Sequence, residues 1–308
     1  MPRKKTTPLT TFALIGAGIV VGWLAVRQAR LAAAKGEFAG KVVLITGGSR
    51  GIGQALAEAF AAQGASLVLA ARSAEQLEHV AATCRVLHPQ VETLCVPTDV
   101  GDPTQLENLI DQTIARFGRI DILVNNAGIS QGGRFEEDEE LGRFQRQMEI
   151  NLMAAVRLTQ LALPHMLARN TGWIVNISSI MGRFGFPFVL GYVTSKHALN
   201  GFSEGLRREL YHTDVRVLSV IAGFVETDMI AGDTSRLVRS SPLSLVTPEQ
   251  VARQTLNAVA LGQAQIFTGW FESLMSGLNV WVPRLMDHVF FKLAPPEMVG
   301  TASSHYTE

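Results

Sequence analysis

Tyr192 and Lys196 are four residues apart in a segment with helical periodicity, so their side chains lie on one face of the predicted helix. A tyrosine with an ordinary pKa of about 10 is a poor base at neutral pH, and a nearby ammonium group favours its ionised form. This pair could therefore move a proton. A Tyr-x-x-x-Lys pattern alone is more often a solvated helix face, so its meaning depends on the elements around it.

One glycine-rich segment, TGGSRGIG at residues 46–53, directly follows the apolar run KVVLIT and opens a helix. Glycines permit a tight turn and a close approach of backbone to a pyrophosphate, and a helix N-terminus offers N–H groups and the positive end of its dipole. The segment therefore predicts a dinucleotide phosphate loop.

A second glycine-rich segment, FALIGAGIVVGWLAV at residues 12–26, lacks the strand before the turn and the later acid that such a loop needs. It belongs to an uncharged run of 21 residues, 6–26, with three cations on each side. As a helix this run would be about 31 Å long, close to a hydrocarbon core of about 30 Å. We predict a retained single-pass membrane helix at 6–26 within an anchor of residues 1–36. A cleaved signal peptide and a buried helix are the alternatives.

The charge distribution excludes a nucleic-acid-binding face. Six of the 27 basic residues lie within residues 1–36, so the remainder carries 21 basic against 27 acidic side chains, a net charge of −6. The only cysteines are Cys84 and Cys95, without a CxxC motif, so neither a metal site nor a disulfide framework is expected. A reducing compartment suits such a chain. We therefore expect a membrane location with the catalytic domain on the cytoplasmic side, although the balanced flanking cations indicate no orientation.

From residue 41 onward, short apolar runs rich in β-branched residues alternate with helical segments. Successive right-handed βαβ units of this kind predict a Rossmann-type, doubly wound parallel sheet of about seven strands. The pattern has no break in composition, so we expect one domain at residues 37–269. One uninterrupted helix is predicted at residues 144–167, and an apolar extension follows the domain at residues 270–308.

Several motifs in order make the chain resemble the short-chain dehydrogenase/reductase family over residues 41–269. The family's T-G-x-x-x-G-x-G loop is matched at residues 46–53, and its NNAG motif is matched at residues 125–128. The family's catalytic tetrad is matched by Asn151, Ser179, Tyr192 and Lys196. One departure is Ala222-Gly223, where the family usually has Pro-Gly after the sixth strand.

The resemblance implies the roles of the tetrad. Tyr192 would give its proton to a carbonyl oxygen during reduction and take it back during oxidation. Lys196 would lower the pKa of that tyrosine and bind the nicotinamide ribose, Ser179 would hydrogen-bond the carbonyl, and Asn151 would support a proton-relay water. The cofactor supplies the hydride, so the protein contributes position and electrostatics. A catalytically silent sensor or scaffold that binds the dinucleotide is the alternative, because a fold does not dictate a function.

The cofactor preference depends on the end of the second strand. NAD-binding relatives place an acid there, whereas this chain has Ala71 and Arg72, and Arg72 and Arg50 could pair with a 2′-phosphate. We therefore predict NADP(H), with two solvated loop arginines as the alternative. The predicted cofactor-binding residues are Thr46, Gly47, Ser49, Arg50, Gly51, Ile52, Gly53, Arg72, Asp99, Asn125, Ala127, Gly128, Tyr192, Lys196 and Thr227.

Three phenylalanines between Ser179 and Tyr192, at positions 184, 186 and 188, favour an apolar substrate pocket, although core packing would use the same residues. The apolar residues 270–294 could lie in a membrane interface, cover the substrate entrance, or pack against the domain or another subunit. With the predicted anchor, these features suggest a hydrophobic ketone or alcohol of ketosphinganine, steroid, retinoid or acyl type. By analogy with the family, a homodimer or tetramer is expected.

Overall fold

The computed structural model describes residues 37–226 and 245–269, together with positions 277, 281, 282, 284, 285, 287 and 288. The strands are β1 (Val42–Thr46), β2 (Ser66–Ala71), β3 (Thr93–Pro97), β4 (Ile122–Asn125), β5 (Gly172–Ser179), β6 (Val215–Ala222) and β7 (Gln265–Phe267). They form one parallel sheet of seven strands in the order β3-β2-β1-β4-β5-β6-β7. The predicted doubly wound α/β fold is thereby confirmed.

Helices connect the strands and cover both faces of the sheet. They are α1 (Gly51–Ala61), α2 (Ala74–Leu87), α3 (Pro103–Phe117), α4 (Gly142–Met148), α5 (Ala154–Leu167), α6 (Leu190–Glu209) and α7 (Pro248–Ala260). Local sequence explains where several of them begin. Ser73 and Asp102 accept backbone N–H groups at the starts of α2 and α3, and Thr247 with Gln250 forms a capping box at α7.

Side-chain alternation along the strands places one apolar layer on each face of the sheet. Val43 and Ile45 of β1 belong to the cluster that includes residues of α1, α2 and α7. Val42 and Leu44 point the other way, into the cluster formed with α3, α5 and the end of α6. Both faces of the sheet are therefore buried, which is why its strands consist of nearly continuous apolar runs.

The helix predicted at residues 144–167 is interrupted in the structure. A π-helical turn, Glu149–Met153, separates α4 from α5. Such a turn inserts an extra residue into the helical repeat and is frequent at functional sites. Asn151 lies in the middle of it.

The sheet reverses its order between β1 and β4, which are neighbours with Ile45 paired to Val124. In open α/β sheets, ligands bind in the crevice beyond the carboxyl ends of the strands at such a reversal. Thr46, Asn125 and Ser179 end β1, β4 and β5 at this edge. The fold therefore collects the predicted motifs around one crevice.

Within the described part of the chain, the structure contains no helix with the length and apolar character required to cross a bilayer. The predicted anchor, residues 1–36, lies outside that part, as does most of the extension at residues 270–308.

Candidate active site

The phosphate loop between β1 and α1 is built on glycine geometry. Gly47 and Gly51 have φ values of +64° and +56°, in the left-handed region where a side chain is strained. A Cβ on Gly53 would lie 2.0 Å from the carbonyl oxygen of Gly47, so only glycine fits there. The backbone thus comes close to the start of α1, and the remaining predicted loop residues, Ser49, Arg50 and Ile52, share this turn and the first turn of α1.

Asn126, which the sequence-based assignment omitted, locks the glycine loop to the end of β4. Its Nδ2 donates to the carbonyl oxygens of Thr46, at 2.9 Å, and of Gly47, at 3.1 Å. In return, Thr46 Oγ1 accepts the N–H groups of Asn126, at 3.0 Å, and of Ala127, at 3.1 Å. The second asparagine of NNAG was the available signal for this positioning role.

Asn125 makes its contacts inside the protein. It is buried, and its Nδ2 donates to Asn176 Oδ1 at 2.8 Å and to Thr159 Oγ1 at 3.2 Å. These hydrogen bonds join β4, β5 and α5 beneath the crevice. The predicted cofactor contact of Asn125 therefore has no counterpart in these interactions, whereas Ala127 and Gly128 continue toward the predicted tetrad.

Ser179, Tyr192 and Lys196 come together between the end of β5 and the start of α6. The Ser179 hydroxyl lies near enough to the Tyr192 phenol to act on its pKa. Lys196 is buried, its Nζ donates to the carbonyl oxygen of Ile177 at 2.9 Å, and it lies 5.7 Å from the ring centre of Tyr192. A Cβ on Gly128 would lie 3.3 Å from Asn151 Oδ1 and 3.6 Å from this Nζ, so Gly128 lies directly beside both side chains.

Asn151 completes the group through backbone and hydroxyl contacts. Its Oδ1 accepts the N–H of Ile129 at 2.8 Å, and its Nδ2 donates to the Ile129 carbonyl at 2.9 Å. The same Nδ2 donates to Ser195 Oγ at 3.0 Å, and Ser195 donates to the Tyr192 carbonyl at 2.7 Å. Ser195, a second positioning residue that the sequence did not single out, thus links Asn151 to the helix turn of Tyr192.

Burial shifts the pKa values of both ionisable members of the tetrad. It raises the pKa of Tyr192, while the Ser179 hydroxyl acts in the opposite direction. Burial also lowers the pKa of Lys196 to about 8. Desolvation of the phenol is the largest influence on the pKa of Tyr192, and the expected lowering of that pKa by Lys196 stays a prediction. Tyr192 therefore holds its proton at neutral pH.

The adenosine end of the crevice carries Asp99 and the two arginines. Asp99 follows β3, and its Oδ1 accepts the Gly101 N–H at 2.9 Å. The Gly48 N–H donates to the Ala70 carbonyl at 3.2 Å, so the glycine loop lies against the end of β2. Arg72, which is exposed, lies two residues after Ala70. Arg50 is exposed on the same loop. Thr227 lies outside the described residues.

The three phenylalanines separate into two environments. Phe184 is buried in an apolar cluster with Ile180, Ile221 and Phe224, and Phe186 packs against that cluster. Phe188 instead borders a small surface cavity with Gln131, Gln147 and Gly191 among its walls. Core packing therefore accounts for Phe184, and the lining of an apolar substrate pocket by Phe188 stays a prediction.

The crevice fits a dinucleotide because glycines leave its floor without side chains and α1 directs its N-terminus toward it. For a metal ion the described residues offer no comparable arrangement, since no three His, Cys, Asp or Glu side chains converge.

Comparisons with known proteins agree with this architecture. The family model described as short chain dehydrogenase matches residues 41–237. Dehydrogenase/reductase SDR family member 7B of Bos taurus is 34% identical over 262 residues, covering 82% of this chain and 79% of the relative. The 11-beta-hydroxysteroid dehydrogenase A of Sesamum indicum is 34% identical over 268 residues, covering 81% and 76%.

Two solved structures have the same fold. A short chain dehydrogenase/reductase from Burkholderia phymatum in complex with NAD has a TM-score of 0.72 at 27% identity, covering 81% of this chain and 96% of that one. An alcohol dehydrogenase from the archaeon Thermococcus sibiricus, complexed with 5-hydroxy-NADP, has a TM-score of 0.66 at 28% identity, covering 74% and 95%. Both neighbours therefore hold a nicotinamide dinucleotide or a derivative of one.

Proposed function

This chain belongs to the short-chain dehydrogenase/reductase family, and we propose that it interconverts a carbonyl and an alcohol on a hydrophobic substrate, using NADP(H). The observation that carries the proposal is the buried Lys196, held by the Ile177 carbonyl 5.7 Å from the ring centre of Tyr192, with Ser179 at the end of the adjoining strand. This arrangement provides a proton donor, a second hydrogen-bond donor for the same oxygen, and a cation next to a crevice that fits a dinucleotide.

The protein's part in the reaction follows from these contacts. The bound cofactor supplies the hydride in reduction and accepts it in oxidation. Tyr192, protonated at neutral pH, donates its proton to the carbonyl oxygen as negative charge develops there, and Ser179 donates a hydrogen bond to the same oxygen. Lys196 orients the ribose hydroxyls, and its charge stabilises the phenolate that forms. Asn151 holds the turn on which these groups meet.

Tyr192→Phe tests this role, with Tyr211→Phe as the matched control because Tyr211 is 80% exposed. NADPH oxidation is measured with a panel of hydrophobic ketones in detergent. We expect Tyr192→Phe to lower kcat by about 10²- to 10⁴-fold with an unchanged Kd for NADPH, and Tyr211→Phe to behave as wild type. Wild-type protein that binds NADPH but turns over neither ketones nor lipid alcohols would instead favour a silent dinucleotide-binding protein.

The NADP(H) preference rests on Arg72 and Arg50, whose side chains are placed by the adjoining end of β2 and glycine loop. An arginine pairs well with a phosphate dianion, whereas an aspartate there would accept hydrogen bonds from the ribose hydroxyls. Arg72→Asp should therefore lower the ratio of kcat/KM for NADPH over NADH by about tenfold or more. Arg207→Asp, an exposed charge reversal in the last turn of α6, should leave the ratio unchanged.

A hydrophobic substrate is supported by the uncharged run of 21 residues at 6–26, which would anchor the chain in a membrane. An anchored enzyme meets lipid-dissolved molecules at high local concentration. We expect the full chain to stay with membranes through alkaline carbonate washing and a chain lacking residues 1–36 to be released. Turnover confined to small polar sugars would contradict the substrate class, and a released full chain would contradict the anchor.

A further inference from the structure

Three side chains on successive turns of one helical segment hold the same stretch of backbone. Arg143, Gln147 and Asn151 are spaced by four residues along α4 and the π-helical turn. Each binds main-chain groups of the loop that leaves β4, residues 129–134, which we call the exit loop. The outermost member, Arg143, donates to the carbonyl oxygens of Gly132, at 3.1 Å, and Arg134, at 3.0 Å.

Gln147 makes a two-point contact with the exit loop. Its Oε1 accepts the N–H of Gln131 at 2.9 Å, and its Nε2 donates to the carbonyl oxygen of Gln131 at 3.3 Å. Asn151 binds Ile129 in the same way one turn later. Gln147 is 1% exposed, so its amide is committed to these partners and to the Arg143 carbonyl at 3.2 Å.

The same amide also touches the helix that carries Tyr192. A Cβ on Gly191, the residue directly before Tyr192, would lie 2.6 Å from Gln147 Nε2. The absence of a side chain at Gly191 therefore lets the first turn of α6 close on Gln147. The exit loop is joined to the segment before α6 a second time, where Gly133 N–H donates to the Phe188 carbonyl at 2.8 Å. Phe188 has a φ of +65°, a strained conformation for a bulky residue.

We propose that Gln147 is a positioning residue of the reaction, because it binds the exit loop through hydrogen bonds and packs against the helix turn of Tyr192. This inference rests on the proposed oxidoreductase function. The buried amide is held by hydrogen bonds to Gln131 and Arg143, and Gly191 packs directly against it, so a change at Gln147 alters the spacing between the exit loop and the first turn of α6. Errors of about 1 Å in such a distance cost up to about 10²-fold in rate.

The test uses Gln147→Met in the full-length, detergent-solubilised protein, since methionine keeps the length and apolar volume but removes all three hydrogen bonds of the amide. Gln145→Met is the matched control, because Gln145 is exposed on the same helix. We expect Gln147→Met to lower kcat about tenfold or more while the Kd for NADPH is unchanged, and Gln145→Met to behave as wild type. Amide hydrogen exchange should accelerate at residues 129–132 and 190–193 in Gln147→Met alone.

Gly191→Ala provides a second arm. Its methyl group would displace the Gln147 amide, so the losses in kcat from Gly191→Ala and Gln147→Met should not add in the double variant. Additive losses, an unchanged kcat in Gln147→Met, or unchanged exchange at residues 190–193 would each overturn the coupling. If wild type turns over no ketone or alcohol, the proposed function fails. The exchange measurement alone then supports or overturns the coupling.

Discussion

At the scale of single residues, burial sets the protonation states of Tyr192 and Lys196, on which the proposed proton transfer depends. Burial raises the pKa of Tyr192, so the phenol enters the reaction with its proton in place. Burial lowers the pKa of Lys196 to about 8, which places its titration within the working range of an enzyme. A protonated phenol beside a charged lysine suits carbonyl reduction near neutral pH.

A pH profile follows from these two groups. Below pH 8 Lys196 carries its charge, and above that pH it loses its proton while Tyr192 remains protonated. We therefore expect kcat/KM for carbonyl reduction to fall as the pH rises through about 8. Stopped-flow or steady-state rates from pH 6 to 10 would show it. In Lys196→Met the overall rate should be lower and this limb absent; a limb that persists in the variant would assign it to another group.

At the scale of elements, the glycine loop and the π-helical turn depart from regular backbone geometry, and each departure brings groups of the candidate site into contact. Gly53 lets α1 begin directly against the Gly47 carbonyl, and the turn at Glu149–Met153 carries Asn151 between Ile129 and Ser195. Positive φ values at Gly47 and Gly51 are accessible because glycine lacks a Cβ. These local geometries shape the glycine loop and hold Asn151 beside the other residues of the predicted tetrad.

Two glycine-to-alanine substitutions compare a position where close packing excludes a Cβ, Gly53, with a helix position where there is space for one, Gly205. In Gly53→Ala the new methyl would lie 2.0 Å from the Gly47 carbonyl oxygen, so we expect a loss of stability of about 1–3 kcal/mol and about tenfold weaker NADPH binding. In Gly205→Ala, within α6, nothing lies within 4 Å of the new methyl, and a gain of about 1 kcal/mol is expected. Denaturant unfolding and NADPH titration measure both; equal effects would contradict the packing argument.

At the scale of the whole molecule, the buried ion pairs of Asp121 and the candidate active site lie at opposite ends of the strands. Asp121, just before β4, is buried at the amino ends of the strands. Its Oδ2 accepts the Val42 N–H at 2.8 Å and lies 3.0 Å from Arg119 Nε, while its Oδ1 lies 2.6 Å from Arg169 Nη2. This carboxylate joins β1 and β4 far from the crevice at their carboxyl ends, so its role is to stabilise the fold.

Asp121→Asn should therefore destabilise the protein without changing its chemistry. Removing one charge from this buried group leaves Arg119 and Arg169 without their partner, and we expect a loss of about 3 kcal/mol in unfolding free energy. Urea unfolding measures it, with the exposed Asp111→Asn as the control. The kcat per folded molecule should remain that of wild type. A selective loss of kcat with unchanged stability would contradict the assignment.

Local sequence determined the elements of this protein. Alternating apolar runs and helical segments, caps such as Asp102, and glycines where φ must be positive act over a few residues, so the strands and most helix bounds could be predicted. The tetrad could also be predicted, because Asn151, Ser179, Tyr192 and Lys196 match the order and spacing of the family's motif. The anchor at residues 1–36 and the contact of Thr227 stay predictions.

Only the tertiary structure decided how these elements contact one another. Asn126 reaches Thr46 across 80 residues because β4 lies beside β1 in the sheet, and no short window of sequence encodes that neighbour. The π-helical turn at Asn151, the burial of Phe184 and the contact of Gln147 with Gly191 likewise depend on packing between distant segments. The raised pKa of Tyr192 also depends on the tertiary structure, because desolvation of the phenol requires the assembled core.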